Sequence, residues 1–265
     1  MTAIKLVAVD MDGTFLNDAK DYDRAHFARI HHELDKQGIR FVVASGNQYY
    51  QLRSFFPDYP DTVYVAENGA YIRDDHTEYA VNSYSPAVAA TILARLATIP
   101  DIHVEVSGAR SAYALVDDDP DWIAQMRFYC PRMQLVPSFD ELQDQLLKIS
   151  VTCVPDQTQA LVDRLRHLLA GLAVPTSSGH GDIDIIQPGV HKAAGLRRLG
   201  QVLGIDLAQM CAFGDGGNDV EMIAEVGLGV AMANATAPVQ RVAAATISDD
   251  NNAQGVLTFL DGLLQ

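Results

Sequence analysis

The chain has 265 residues, of which 48% are apolar and 20% are charged, so it can bury one large or two modest cores without disulfide or metal staples. Its formal net charge of −15 argues against nucleic acid or an anionic membrane as a partner. No apolar stretch reaches the length of a membrane span, and the first residues lack the basic and long apolar regions of a signal peptide.

Three cysteines, Cys130, Cys153 and Cys211, are widely spaced and form no CxxC pair. This pattern indicates neither a disulfide framework nor a zinc site. We therefore expect small apolar residues in a reducing compartment and a cytoplasmic protein. No feature of the sequence indicates an obligate protein partner.

The first predicted element is a strand over residues 4–9, whose consecutive apolar residues are typical of a strand buried on both faces. Asp10 and Asp12 follow it directly, and Gly13 then permits a sharp turn. Two carboxylates placed so close repel each other unless a cation or a reaction needs them. The segment therefore predicts metal-assisted chemistry at the carboxyl end of a strand.

The next elements alternate between helix and strand. We predict helices over residues 22–37 and 47–55 and strands over residues 39–44 and 62–67. Ser45-Gly46-Asn47 follows the second strand. Short links between alternating helices and strands predict a parallel, doubly wound sheet.

Residues 84–182 show a different pattern, with helices between strands that lie closer to hairpins. Predicted helices cover residues 86–97, 120–129 and 156–169, and predicted strands cover residues 102–106, 112–116, 148–154 and 183–186. This pattern predicts an α+β module inserted into the first domain.

The parallel-sheet pattern returns after Pro188. Predicted helices cover residues 192–203, 220–224 and 253–264, and predicted strands cover residues 210–213 and 229–232. We accordingly predict a Rossmann-like core of residues 1–83 plus 188–265 and an inserted α+β cap of residues 84–187. A discontinuous core with both crossings at one place suits a hinge over a site.

Four polar signals fall at predicted strand ends or at a helix start, and in a doubly wound sheet these places share one crevice. The signals are Asp10 with Asp12, Ser45-Gly46-Asn47, Lys192, and Asp215 with Asn218 and Asp219. Carboxylate oxygens suit Mg²⁺, an ammonium neutralises a phosphate oxygen, and hydroxyl, amide and backbone N–H groups donate hydrogen bonds to it. The set therefore predicts phosphoryl transfer, with Asp10 ionised at neutral pH without help and attacking phosphorus, and Asp12 moving a proton.

These residues carry a resemblance to a known family. The stretches DMDGTFLN, SGN, the lone Lys192 and GDGGND together resemble the haloacid dehalogenase (HAD)-like phosphatases. Their order, with a large insertion between the second and third, is similar to the Cof-type branch (class IIB). Residues 10–20, 41–52, 66–70 and 249–252 resemble a subgroup of bacterial sugar phosphatases.

The resemblance implies a role for each matching residue. Asp10 would be the nucleophile and Asp12 the general acid/base. Mg²⁺ would be bound by the Asp10 side chain, the Asp12 backbone carbonyl and the Asp215 side chain. The phosphoryl group would be bound by Asp12, Ser45, Gly46, Lys192 and Asn218, and the supporting residues would be Asp219 and Asn47. Many Cof-type members have Thr-Gly-Arg where this chain has Ser45-Gly46-Asn47, so a cation near the substrate is missing here.

We therefore expect a Mg²⁺-dependent phosphatase of small sugar phosphates. Two alternatives stay open: a phosphosugar mutase or phosphotransferase, and a catalytically idle phosphosugar-binding sensor. The sequence does not rank the sugar phosphates against phosphorylated cofactors. Glu67-Asn68-Gly69 could contact substrate or form a turn, whereas Trp122 and Tyr129 are expected to pack in the core rather than to form a sugar platform.

Overall fold

The computed structural model describes residues 3–179 and 181–264. Its strands form two sheets, one of eight strands and one of six. Eight of the strands build the larger sheet: β1 (Leu6–Val9), β2 (Arg40–Ala44), β3 (Val63–Ala66), β4 (Tyr71–Arg73), β5 (Glu78–Val81), β12 (Met210–Gly214), β13 (Leu228–Ala231) and β14 (Ala245–Thr246). The other six build the smaller sheet: β6 (His103–Gly108), β7 (Ala112–Leu115), β8 (Met133–Val136), β9 (Leu146–Thr152), β10 (Val174–Gly179) and β11 (Asp182–Ile186).

The larger sheet has the strand order β14-β13-β12-β1-β2-β3-β4-β5. Every pairing from β14 to β3 is parallel, which confirms the predicted doubly wound α/β core. The β3–β4 and β4–β5 pairings are antiparallel, so a hairpin that the sequence pattern did not predict extends one edge.

Nine α-helices are described in this part of the chain. They are α1 (Arg24–Lys36), α2 (Tyr49–Phe55), α3 (Pro86–Leu96), α4 (Pro120–Tyr129), α5 (Thr158–Leu168), α6 (Lys192–Leu203), α7 (Val220–Glu225), α8 (Ala237–Val242) and α9 (Gly255–Leu263). The bounds of α6 agree with the prediction, because Gly204 ends the helix with a left-handed φ of 68°. Within residues 3–179 and 181–264, no helix combines the length and apolarity that crossing a bilayer requires.

The order of the larger sheet fixes the place of the site. The chain runs outward from β1 to β2 and β3, and its last third starts on the other side of β1 with β12. Strand order therefore reverses between β1 and β12, and ligands of doubly wound sheets bind at the carboxyl ends of strands at such a point. Asp10 follows β1 and Asp215 follows β12, so both lie at this point.

The smaller sheet has the order β10-β11-β9-β6-β7-β8 and is antiparallel except for the parallel β7–β8 pair. Most of its apolar side chains lie in two clusters separate from the core of the larger sheet, one of which includes Trp122 of α4. The chain leaves the larger sheet after β5 and returns to it with α6. The three cysteines are buried and free, as expected.

Candidate active site

A buried lysine joins two of the predicted carboxylates. Lys192 begins α6, is 1% exposed, and lies with its Nζ 2.6 Å from Asp10 Oδ1 and 2.7 Å from Asp219 Oδ1. The other oxygen of Asp219 accepts hydrogen bonds from the backbone N–H groups of Asp215 and Gly216. Asp219 therefore orients Lys192 and the loop after β12 together.

The third carboxylate, Asp215, is held by the turn that follows β1. Thr14 Oγ1 donates to Asp215 Oδ1 over 2.6 Å. Gly13 has a left-handed φ of 77°, and a Cβ atom at this position would lie 2.6 Å from Asp215 Oδ2. Glycine is thus required both by its backbone conformation and by the close approach of this carboxylate.

The electrostatics of this cluster depend on burial and mutual repulsion. Burial raises the pKa of Asp10 well above its usual value, Lys192 acts to lower it, and the negative charges of Asp219 and Asp215 raise it further. Burial also raises the pKa of Asp215 to about 6, although the Thr14 hydrogen bond acts to lower it. Burial therefore opposes the expectation that Asp10 ionises without help, which stays a prediction. The charges of Lys192 and of a cation favour the ionised form.

The cluster fits a hard divalent cation. One carboxylate oxygen each from Asp10, Asp215 and Asp219 lies within 4.8 Å of the other two. Oxygen donors of this kind are the ligands that Mg²⁺ prefers. Because a dication would offset the mutual repulsion of these carboxylates, the donor set and its charge both fit the ion.

Asp12 is not one of the three clustered carboxylates. Its Oδ1 lies 2.5 Å from Lys20 Nζ, and its Oδ2 accepts a 2.7 Å hydrogen bond from Asn47 Nδ2. Both oxygens therefore have a donor, one from the loop after β1 and one from the loop after β2. Burial alone would lower the pKa of Lys20, but its hydrogen bond and ion pair with Asp12 outweigh burial and raise the pKa. Asn47, at the position where many Cof-type members have arginine, thus contacts the predicted acid/base.

The predicted phosphate loop lies beside Asp12. Ser45 is buried, and its backbone N–H donates to the Val65 carbonyl of β3. Ser45 Oγ accepts from the Asn47 backbone N–H over 3.2 Å. The loop is therefore anchored to the sheet, while the Ser45 hydroxyl keeps its own proton available for donation.

Two left-handed residues next to this loop place a further amide at the site. Glu67 and Asn68 have φ values of 51° and 54°, which are uncommon for residues other than glycine and cluster at functional sites. Asn68 Nδ2 donates to Asp184 Oδ2 of β11 over 2.7 Å, and Asn68 Oδ1 accepts from Asn218 Nδ2 over 3.2 Å. Asn218, predicted to bind phosphate, is thereby linked to the smaller sheet.

Sequence reasoning did not single out Thr14 and Lys20, although both lie within the stretch 10–20 that carries the resemblance.

Trp122 is 7% exposed and its indole N–H donates to Thr152 Oγ1, which agrees with the expected packing role. Asp119 caps α4 by accepting from the N–H groups of the first turn.

Comparison with known proteins gives the family of this chain. Residues 7–260 match the family model of the haloacid dehalogenase-like hydrolases. A 5-amino-6-(5-phospho-D-ribitylamino)uracil phosphatase of Escherichia coli strain K12 is 41% identical over 267 residues, covering 99% of this chain and 97% of the relative.

Solved structures show the same fold. The crystal structure of a protein from Streptococcus mutans UA159 is 33% identical, covers 99% of both chains, and superposes with a TM-score of 0.93. A subclass IIB sugar phosphatase of the HAD superfamily superposes with a TM-score of 0.82 and covers 98% of both chains, at 16% identity. The last likeness is one of fold alone.

Proposed function

This chain belongs to the haloacid dehalogenase-like hydrolase family, and from that premise we propose that it is a Mg²⁺-dependent phosphatase of small sugar phosphates that works through an aspartyl-phosphate intermediate. The family and the similarity to the Escherichia coli phosphatase make it a hydrolase of small-molecule phosphomonoesters. The observation that carries the finer proposal is the arrangement of Asp10, Lys192, Asp215 and Asp219 at the switch point of the sheet.

In the proposed first step, an oxygen of Asp10 attacks phosphorus and the bond from phosphorus to the alcohol oxygen breaks. Asp12 gives a proton to the leaving oxygen. Lys192, 2.6 Å from Asp10, balances the negative charge that gathers between carboxylate and phosphoryl group.

In the second step, water attacks phosphorus of the aspartyl phosphate and the bond to Asp10 breaks. Asp12 now takes the proton from the attacking water, as the reversed role of the first step requires. Lys20 and Asn47 donate to the two oxygens of ionised Asp12, which is the form that takes this proton, and the first step begins with Asp12 protonated.

The phosphoryl group would be bound by the Ser45 hydroxyl, the Gly46 backbone N–H, Lys192 and Asn218. Mg²⁺ would be held by the side chains of Asp10 and Asp215 and the Asp12 carbonyl, with Asp219 in support, and when bound it neutralises phosphoryl charge. We keep the division into a core of residues 1–83 plus 188–265 and a cap of residues 84–187 as part of the proposal. Closure of the cap would exclude water and select the leaving alcohol.

One relative favours a second candidate substrate. The Escherichia coli protein that is 41% identical is named for a phosphorylated ribitylaminouracil, which carries its phosphate on an open hydroxylated carbon chain. A sugar phosphate offers the same phosphorylated carbon chain. A pocket lined by apolar and polar residues, Ile186 and Thr176 among them, adjoins Asn218, although neither Asp10 nor Asp12 is in its lining.

A panel of phosphomonoesters tests the proposal. Release of inorganic phosphate is measured with Mg²⁺ and with chelator, and kcat/KM ranks hexose, pentose and tetrose phosphates against the ribitylaminouracil phosphate, flavin mononucleotide and pyridoxal phosphate. Mg²⁺-dependent release that is fastest with a sugar phosphate supports the first candidate. Formation of a sugar phosphate isomer would indicate a mutase, and binding without turnover would indicate a sensor.

A further inference from the structure

A buried lysine of the smaller sheet reaches the phosphate loop of the larger one. Lys148 lies on β9, is 7% exposed, and donates through Nζ to the Gly46 backbone carbonyl over 2.6 Å. None of the steps described above uses this side chain. An ammonium buried at such a junction loses hydration, so its partners must compensate for that cost.

Carboxylates from both sheets supply that compensation. Glu67 Oε2, from the left-handed turn after β3, lies 3.1 Å from Lys148 Nζ, and Asp184 Oδ1 of β11 lies 3.2 Å from it. Glu105 of β6 lies nearby as well and contributes when it is ionised, although burial raises its pKa to about 8. Burial alone would lower the pKa of Lys148, but these carboxylates outweigh burial and raise it well above its usual value, so Lys148 stays charged.

The bond from Lys148 acts on the peptide that orients Ser45. The carbonyl of Gly46 and the N–H of Asn47 belong to one peptide group, and that N–H donates to Ser45 Oγ. A cation on the carbonyl polarises the peptide and strengthens its N–H as a donor. Since Ser45 Oγ then serves as an acceptor, its own proton is directed elsewhere, toward the phosphoryl position.

The remaining carbonyls of the loop are anchored within the larger sheet. The Ser45 carbonyl accepts from the Asn68 backbone N–H, and the Asn47 carbonyl accepts from that of Glu67. Among the hydrogen bonds described for these three carbonyls, the one to Gly46 is the only one whose donor belongs to the smaller sheet. The loop is therefore completed by a group that arrives with the smaller sheet.

We propose that Lys148 is a positioning residue that acts through the Gly46–Asn47 peptide to orient the Ser45 hydroxyl, so that seating the smaller sheet on the larger one completes the phosphoryl-binding loop. The inference rests on the proposed function, because it assigns Ser45 to phosphoryl binding. A lysine that only fastened the two sheets together would stabilise the fold without acting through Ser45.

A double-mutant cycle of Lys148→Met and Ser45→Ala separates these roles. Two sets of constants are measured for the wild type, both single variants and the double variant. The first is the inhibition constant of inorganic phosphate, and the second is kcat and KM for a sugar phosphate that the wild type hydrolyses. Each single substitution is expected to weaken phosphate binding by about 10-fold or more, as loss of a hydrogen bond from or to a charged group does. Adding Lys148→Met to Ser45→Ala is expected to cost less than about 2-fold, because the group through which Lys148 acts is already absent.

Matched variants control for folding. Arg166→Met removes a cation that pairs with Asp163 on the exposed face of α5, and it should leave phosphate binding unchanged. If Lys148→Met unfolds because Glu67 stays buried and unpaired, the cycle is repeated in a Glu67→Gln background. Lys148→Arg, which keeps a cationic donor, should restore part of the phosphate affinity.

Additive losses in the cycle, or unchanged phosphate affinity in folded Lys148→Met, would overturn the inference. The proposed function fails separately, if the wild type releases no phosphate from any monoester. If the wild type has no activity, inhibition constants cannot be measured. Binding of inorganic phosphate is then measured directly by calorimetry, and the double-mutant cycle still tests the role of Lys148.

Discussion

Replacing Lys192 by methionine should lower the free energy of unfolding by several kcal/mol. Lys192 is 1% exposed and forms ion pairs of 2.6 and 2.7 Å with Asp10 and Asp219, so the variant would bury two carboxylates without their cation. Breaking a buried pair from one side costs about 3–5 kcal/mol, a large part of the about 5–15 kcal/mol that stabilises a domain. With a shift of about 2–4 °C per kcal/mol, Tm should fall by about 6–20 °C.

The loss should depend on pH. The pKa of Asp10 is already raised in the folded protein, and without Lys192 it would rise further. A carboxyl group with a raised folded-state pKa keeps its proton better when folded, so its destabilisation grows as pH rises above the unfolded value and shrinks in acid. The drop in Tm should therefore be larger at about pH 8 than at about pH 5.

Calorimetry in the presence of chelator measures both effects. Lys36→Met is the matched control, because Lys36 pairs with Glu33 on the surface and such pairs contribute little. A Lys192→Met protein whose Tm stays within about 2 °C of wild type at both pH values would refute the reasoning, since buried unpaired carboxylates must then cost far less than assumed.

Three other results are expected. Because burial raises the pKa of Asp215 to about 6, protons should compete with Mg²⁺ for this carboxylate. The Mg²⁺ concentration that gives half-maximal thermal stabilisation, the midpoint, should therefore be lower at about pH 7.5 than at about pH 5.5, and equal midpoints would contradict this. Gly13→Ala should weaken Mg²⁺ stabilisation, since its Cβ would lie 2.6 Å from Asp215 Oδ2, and an unchanged midpoint would show that the turn yields. Burial raises the pKa of Glu105 to about 8, so the contribution of this group to stability should fall as pH rises from about 4.5 to 8. Glu105→Gln should therefore gain in Tm relative to wild type over that range, and parallel pH profiles of the two proteins would disprove the shift.

Local sequence signals predicted those parts of the fold that local chemistry decides. The apolar run before Asp10 formed a strand buried along its whole length, and Gly204 ended α6 in a left-handed conformation. These features need only near neighbours in the chain to be recognised. The strands β4, β5, β8, β10 and β14 were not predicted, because pairing with a neighbouring strand of the sheet rather than their own composition makes them strands.

The site shows the same division. Asp10, Asp215 and Asp219 could be placed together because parallel strands end at one edge. The partners of Asp12 could not, since Lys20 reaches it through a loop and Asn47 from the next strand end. Lys148 sits within a strand otherwise rich in apolar residues, and only the tertiary structure supplies the carboxylates that make a buried ammonium tolerable there.

Trapping the covalent intermediate tests the central claim most directly. The protein is mixed with Mg²⁺ and a sugar phosphate that it hydrolyses, and the reaction is quenched in acid within the first turnovers. The masses of the intact protein and of its peptides are then recorded. We predict the mass of one added phosphoryl group on the peptide that contains Asp10, and its absence in a folded Asp10→Asn protein whose turnover is below about 1% of wild type. A phosphoryl group on another residue, or Asp10→Asn turnover above that level, would contradict the account.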